Sequence, residues 1–299
     1  MMKSKTDICS TRNSTCCVIS LATGRNTYLQ AIKRLEASLR KVGFQGDFLG
    51  WIDQYPEGSP SQLEAPMAFK THCFLAAKRL GYRHVLWIDA PVVALRPLGP
   101  IFAMIEKNSY VTFTNNYEQM LGQWCSDVVL DHHGISRDEA LQIPETPTSV
   151  LGLDLDSQLG QEFLARWHAI CSDGLTCRGR KEPYQSAVDH DAVAWNKNQC
   201  ISKDPRVGGH RHDQTAAGIV CHRLGLRPYA DNLRDVHYPK KPIDRSTILL
   251  HYREYGETIT RLDKIYFDAF YAPFIPRPRL IASRAWQRMQ RLAPTTDQP

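Results

Sequence analysis

Along the first 114 residues, short apolar runs alternate with segments of helical period. CCVISL (16–21) is a β-rich run that ends at ATGRN, after which Tyr28, Ile32, Leu35 and Leu39 recur at helical spacing until Gly43. GDFLGWID (46–53) reads as a second strand and QYPEGSPSQLEAP as a loop. Met67, Phe69, Lys70, Phe74 and Leu75 then predict a helix running to Gly81, with Pro66 at its first turn. HVLWID (84–89) has no polar break before Asp89, the pattern of a strand covered on both faces. LGPIFAMIEKNSY predicts a short helix and YVTFTN another strand. Strand, helix, strand, helix in this order implies an α/β fold around a parallel sheet, in which ligands gather at the carboxyl ends of strands.

The second half is less regular. TSVLGLDL (148–155) reads as a strand, SQLGQEFLARWHAICSDG as an amphipathic helix ending at Gly174, and EPYQSAVDHDAVAWN as a loop entering a helix. HDQTAAGIVCHRLGL reads as a helix closed by Gly225, and STILLHYRE as a strand with His251 at its end. No repeat interrupts the chain, and no boundary is expected before about residue 272, so 1–272 is read as one domain and 273–299 as a basic extension.

Composition narrows the class. Of the 299 residues, 23% are charged and 42% hydrophobic, the balance of a soluble globular enzyme. No apolar stretch reaches the ~18 residues of a membrane span. The start carries no apolar signal region, so a cytoplasmic location is expected. Nine cysteines, an odd number without a C-x-x-C pair, imply reduced thiols and argue against a disulfide framework or structural zinc. Much of the net charge of +6 sits in Arg277, Arg279, Arg284, Arg288 and Arg291, and not along a recognition helix, so nucleic acid is not an expected partner. Leu280, Ile281, Trp286, Met289 and Leu292 alternate with those arginines, as in a basic amphipathic helix lying on an anionic membrane or packed back on the domain.

Three acidic positions compete for a ligand site. Asp154 with Asp156, and Asp189 with Asp191, have literal Asp-x-Asp spacing, but the second pair opens a predicted helix and Asp156 or Ser157 is placed as an N-cap. Asp89 alone ends a buried strand, where a carboxylate must meet solvent, a donor or a cation. In GGHRHDQTAA, His210, His212 and Asp213 are spaced two apart and one apart, so they do not share a helical face. Asp213 is either a first-turn acid or, with Gln214, a base or sugar-hydroxyl binder delivered by a Gly-rich loop. His251 at a strand end suits a metal or a pyrophosphate as well as a satisfied edge position. Thr23, Gly24 and Arg25 form a compact turn whose N–H groups suit a nucleotide. His132, His133, Lys240 and Lys241 read as surface residues or phosphate and acceptor contacts.

Taken in order, VISLATGRNTYLQAIKRLEASL, AFKTHCFLAAKRLGYRHVLWIDAPVVALRPLGPIF, SVLGLDLDSQLGQEFLARW, RHDQTAAGIVCHRLGL and LLHYREYG resemble a GT-A-type nucleotide-sugar glycosyltransferase, over roughly residues 16–256. The resemblance implies a GT-A-like, Rossmann-like fold with a mixed, mainly parallel sheet flanked by helices. It implies a nucleoside-diphosphate sugar as donor and a glycan, lipid-linked or small-molecule acceptor, in glycan, polysaccharide, glycolipid or natural-product assembly; the basic tail, read as a membrane-lying helix, adds the inner face of the membrane as an expected location. Position by position it assigns Thr23 and Gly24 to the nucleotide, Asp89 to ribose and metal, Gly152 to the donor sugar, Asp213 to acceptor or sugar, and His251 to the metal shell. The second Asp of the family motif falls at Pro91, leaving Asp89 and His251 as ligands for Mn²⁺ or Mg²⁺, ions that want several oxygens. A cationic clamp from Lys70, Arg25 or Lys240 is the metal-free alternative. A non-catalytic module that keeps only sugar or partner binding is the alternative to an enzyme.

Overall fold

The computed structural model describes residues 15–24, 26–114, 119–229, 236–237 and 247–251. The chain divides into two compact units, Met1–Tyr252 and Arg253–Pro299. Arg25, Lys240, Lys241, the expected boundary at 272 and the basic tail helix lie outside the described residues.

The elements follow the chain as β1 (Cys16–Ala22), α1 (Asn26–Lys41), β2 (Asp47–Ile52), α2 (Phe69–Arg79), β3 (His84–Ile88), β4 (Val92–Ala94), α3 (Gly99–Asn108) and β5 (Tyr110–Thr112). They continue with α4 (Asp127–His133), α5 (Arg137–Ala140), β6 (Val150–Asp154), α6 (Gln158–Cys171), α7 (Ala187–Ala194), α8 (His212–Leu224), β7 (Val236–His237) and β8 (Leu249–His251). The larger sheet has the order β2-β1-β3-β6-β5, with β1 parallel to β2 and β3, and β6 antiparallel to β3 and β5. It is the expected mixed, mainly parallel sheet flanked by helices. A smaller sheet has the order β4-β8-β7.

The unbroken apolar run of β3 has the physical cause read from the sequence. Val85 and Trp87 face a core layer shared with α2, α6 and α8, whereas Leu86 and Ile88 face a second layer with Leu35 and Leu39 of α1 and Ile101 and Ile105 of α3. Both faces are dry, so Val85–Ile88 are all apolar, and the one polar residue of β3, His84, lies at its start beside Asp154. Because successive side chains point to opposite faces, Asp89 continues the Val85–Trp87 side and emerges toward α2 and α8.

Local chemistry moves some boundaries. The helix expected from Met67 begins at Phe69, since Met67 takes a left-handed φ of 63°; Pro66 therefore lies in the preceding turn and not in the first turn of the helix. Ser157, and not Asp156, caps α6 by accepting the Gly160 N–H. Ser186 caps α7 through the Asp189 N–H, and the Asp189 carboxylate accepts the Gln185 N–H at 2.9 Å. The eight cysteines among the described residues are free, and all but Cys16 and Cys200 are buried. No helix among the described residues is long and apolar enough to cross a membrane.

Candidate active site

The site forms where β3 leaves the larger sheet. The Asp89 N–H donates to the Ser149 carbonyl at 2.8 Å, and the Asp89 carbonyl accepts the Val92 N–H at 2.9 Å, so the residue is the joint between β3 and β4. Its Oδ1 accepts the Trp87 indole N–H at 2.7 Å and lies 2.9 Å from Lys70 Nζ. Lys70, in the first turn of α2, is buried and also lies 2.8 Å from Asp213 Oδ2 in the first turn of α8. Its remaining contacts are the Thr148 carbonyl at 3.1 Å and Thr148 Oγ1 at 3.3 Å. Thr148 Oγ1 donates to Asp213 Oδ2, and the Trp167 indole holds the Asp213 carbonyl at 3.2 Å.

Burial by itself disfavours every charge in this group, and the partners decide each outcome. For Lys70, desolvation is outweighed by the charges of Asp213 and Asp89 and by their hydrogen bonds, so its pKa is raised and it stays an ammonium. For Asp89, desolvation is outweighed by the Lys70 charge, the bonds from Lys70 and Trp87, and the charge of His251, so its pKa is lowered. For Asp213, desolvation prevails over Lys70 and Thr148, with the Asp89 charge adding to it, so its pKa is raised. Two carboxylates on one ammonium are thereby pushed in opposite directions. Asp89 keeps 28% of its side chain open and Asp213 only 5%, so Asp89 is the member that a ligand reaches first.

The structure redistributes several expected roles. Lys70 has three N–H donors and four oxygens already within reach, so it has no donor left for a diphosphate; it fixes the two carboxylates instead. Gly152 does not line this edge. Because β6 runs antiparallel, Gly152 pairs with Leu86 inside the sheet, and a Cβ there would stand 2.4 Å from Ile105 and 2.7 Å from Val111, so it is a packing glycine. The residues that β6 brings to Asp89 are those before its start, Thr148 and Ser149, which sequence reasoning missed for want of the strand direction. The same reversal carries Asp154 to the opposite edge, opposite His84, where Arg83 holds it with paired bonds of 3.0–3.3 Å. Asp191 is ion-paired with Lys197 on the surface, so neither literal Asp-x-Asp pair joins the site.

Thr23 and Gly24 do lie at the carboxyl end of β1, beside the site edge. The Gly24 N–H, with φ at 82°, already donates to Asp53 Oδ1 at 3.1 Å, and Thr23 Oγ1 is 3.4 Å from the Tyr55 hydroxyl. His251 pairs with Val92 across β8 and β4, which sets it next to Asp89, where its charge is felt. Gln214 follows Asp213 in α8, with its N–H on the Arg211 carbonyl at 2.8 Å.

His210 and His212 do not join Asp213 as ligands. His210 sits 2.7 Å from the Thr176 carbonyl and His212 Nδ1 2.9 Å from the Cys177 carbonyl, and His212 stacks on His190 with centroids 4.6 Å apart. His212 itself takes a left-handed φ of 39°, so the chain turns at this residue and sends its ring one way and Asp213 the other. Burial pushes His210 down to about 4 and His212 well below its ordinary value, so both are neutral anchors of the loop.

A divalent cation does not fit the Asp89 group. The second motif position is Pro91, Asp89 and Asp213 are both already paired with Lys70, whose ammonium occupies the place between them, and His251 alone adds too few ligands for an ion that wants several oxygens. Elsewhere, ligand atoms of His132, His133 and Asp173 lie within 4.8 Å of one another. The Arg223 guanidinium stands 3.3 Å from His133 Nδ1 there, a positive charge that opposes a second cation.

No protein-family model matches the chain, and no curated protein matches its sequence. Among solved structures, the chain is similar to a glycosyltransferase involved in the glycosylation of the major capsid of PBCV-1, at 12% identity over 81% of this chain and 97% of that one, with a TM-score of 0.43. It is similar to the galactosyltransferase LgtC in complex with donor and acceptor sugar analogs, at 14% identity over 88% and 98% of the two chains, with a TM-score of 0.41. It is also similar to mouse xyloside xylosyltransferase 1, at 11% identity over 88% and 94%, with a TM-score of 0.39.

Proposed function

We propose that the chain is a GT-A-type glycosyltransferase that moves a sugar from a nucleoside-diphosphate donor to an acceptor hydroxyl. The observation that carries this reading is the Lys70-centred pair of carboxylates, Asp89 and Asp213, held at the carboxyl edge of a mainly parallel sheet. In the reaction the acceptor oxygen forms a bond to the anomeric carbon, the bond from that carbon to the diphosphate oxygen breaks, and the nucleoside diphosphate leaves with the electron pair. Asp89, the more open and more acidic carboxylate, accepts hydrogen bonds from the ribose or sugar hydroxyls. Asp213, whose pKa is raised, is the carboxylate suited to take the acceptor proton or to hold a sugar hydroxyl, with Gln214 beside it. His251 and the Thr23–Gly24 turn at the carboxyl end of β1 are assigned to the nucleotide side, with the turn fixed by the bond from the Gly24 N–H to Asp53. Lys70 is a positioning residue: its ammonium lies between the two carboxylates and keeps both in place.

Thermal-shift measurements against UDP-, GDP-, CMP- and dTDP-sugars test donor binding. Stabilisation by at least one is expected, and stabilisation by none overturns the reading. Turnover that survives EDTA supports a metal-free site; loss to EDTA with rescue by Mn²⁺ overturns that part alone.

A further inference from the structure

Trp195, at the C-terminal end of α7, stands 59% open to solvent. Its indole meets Trp124 edge to face, with centroids 6.0 Å apart and planes at 80°. The Arg211 guanidinium lies over the Trp124 ring, 4.0 Å from its centroid. The backbone ties this group to the site: the Arg211 N–H donates to the Trp124 carbonyl at 3.1 Å, Thr215 Oγ1 donates to the same carbonyl at 2.9 Å, and Arg211 precedes Asp213 by two residues.

Two glycines make the arrangement possible. A Cβ on Gly208 would stand 3.0 Å from the Trp124 ring, and one on Gly209 would stand 1.8 Å from the carbonyl oxygen of Ala194, the residue before Trp195. The Gly-Gly pair thus supplies space, one glycine for each tryptophan segment. An edge-to-face contact leaves indole surface of Trp195 uncovered, and the other ring of the pair carries a guanidinium whose position is set by Trp124 and by Glu145, 3.9 Å away. An open aromatic face next to fixed donors complements a pyranose ring, which offers C–H groups on one face and hydroxyls at its rim. A protein partner fits less well. The other large apolar residue exposed on this helix, Val188, is two turns away, and Asp191 and Lys197, four residues before Trp195 and two after it, carry an exposed ion pair, so the surface lacks the apolar centre of a stable interface.

We propose that Trp195, backed by Trp124 and flanked by Arg211, is the acceptor subsite: it stacks a saccharide ring, and Arg211 donates to that ring's hydroxyls. The assignment as acceptor, as opposed to a bare sugar site, rests on the glycosyl-transfer reading of Asp89 and Asp213.

The test probes labelled protein on a printed array of mono- to tetrasaccharides. Wild type is expected to bind at least one saccharide, Trp195→Ala to bind it at least about tenfold more weakly, and Trp195→Phe to fall between. The thermal shift with nucleotide sugar should be unchanged in both variants, so that failure here is distinguishable from failure of donor binding. Array binding retained by Trp195→Ala, or absent from wild type, overturns the proposal. So does a wild-type dimer that Trp195→Ala converts to monomer in sedimentation, because the indole would then belong to a self-interface.

Discussion

Replacing Lys70 by methionine removes one charge from the site and little volume. Asp89 and Asp213 lose the ammonium at 2.9 and 2.8 Å, and Thr148 loses its donor. Taking one partner from a buried ion pair costs about 3–5 kcal/mol, because the remaining charge is left uncompensated. That is a large share of the ~5–15 kcal/mol by which domains are stable, and at about 2–4 °C per kcal/mol it lowers the melting temperature by roughly 6–20 °C. The loss depends on pH with a definite sign. The folded pKa of Asp213 is already above its ordinary 3.8, and without Lys70 it rises further. A carboxyl whose folded pKa is raised contributes stability in acid that is lost as pH rises through that pKa, so the gap between wild type and variant should widen upward from mildly acid pH. Urea midpoints at about pH 5 and about pH 8 measure it, read at a common m-value. Adding Asp213→Asn to Lys70→Met should restore part of the loss, since it removes the stranded charge. A variant within about 1 kcal/mol of wild type at the higher pH, or a gap that does not change with pH, refutes the account of Lys70 as a compensating counter-ion.

Asp89→Asn keeps an acceptor for the Trp87 indole but removes one of the two counter-ions of Lys70, so it should destabilise less than Lys70→Met, which strips the ammonium from both carboxylates, while lowering transfer by about 10²–10³-fold; unchanged turnover removes Asp89 from the mechanism. Below the ordinary histidine value of 6.5, the unfolded chain takes up protons that the folded state refuses at His210 and His212, so stability should fall between that value and about 4. The measurement is the urea midpoint against pH, and a flat profile refutes burial of these rings in neutral form. Gly209→Ala forces backbone apart at Ala194 and should cost about 1–3 kcal/mol in chemical denaturation; a neutral result shows that the Gly-Gly segment has room to spare.

Much of the sheet is legible in the sequence because its cause is local. A strand with two dry faces leaves no polar positions along its middle, so VLWI announces itself, and Asp89 stands out as the next group that must find a partner. The alternation of β3 even implies that Asp89 shares a face with Trp87, and their side chains are hydrogen-bonded. Strand direction is different. Val150–Asp154 carries the same apolar pattern whether it runs parallel or antiparallel, and only the ladder to β3 decides that Thr148 reaches the site and Gly152 does not. The three residues of β4 are too few to show a period. Lys70 is visible as a candidate cation, but whether its protons serve a substrate or neighbouring carboxylates depends on residues brought from positions 89, 148 and 213.

Asp89 also sits where the two sheets are joined, and β4, which begins three residues later, lacks a ladder partner until Leu249–His251 arrives. During synthesis the chain is made in order, and early segments collapse before late ones exist. The five-stranded sheet can close once β6 has emerged, yet the neighbourhood of Asp89 stays unfinished for nearly a hundred further residues. Activity should therefore be acquired late in folding and after most of the core, so that a nascent or C-terminally clipped chain is a well-packed but silent protein.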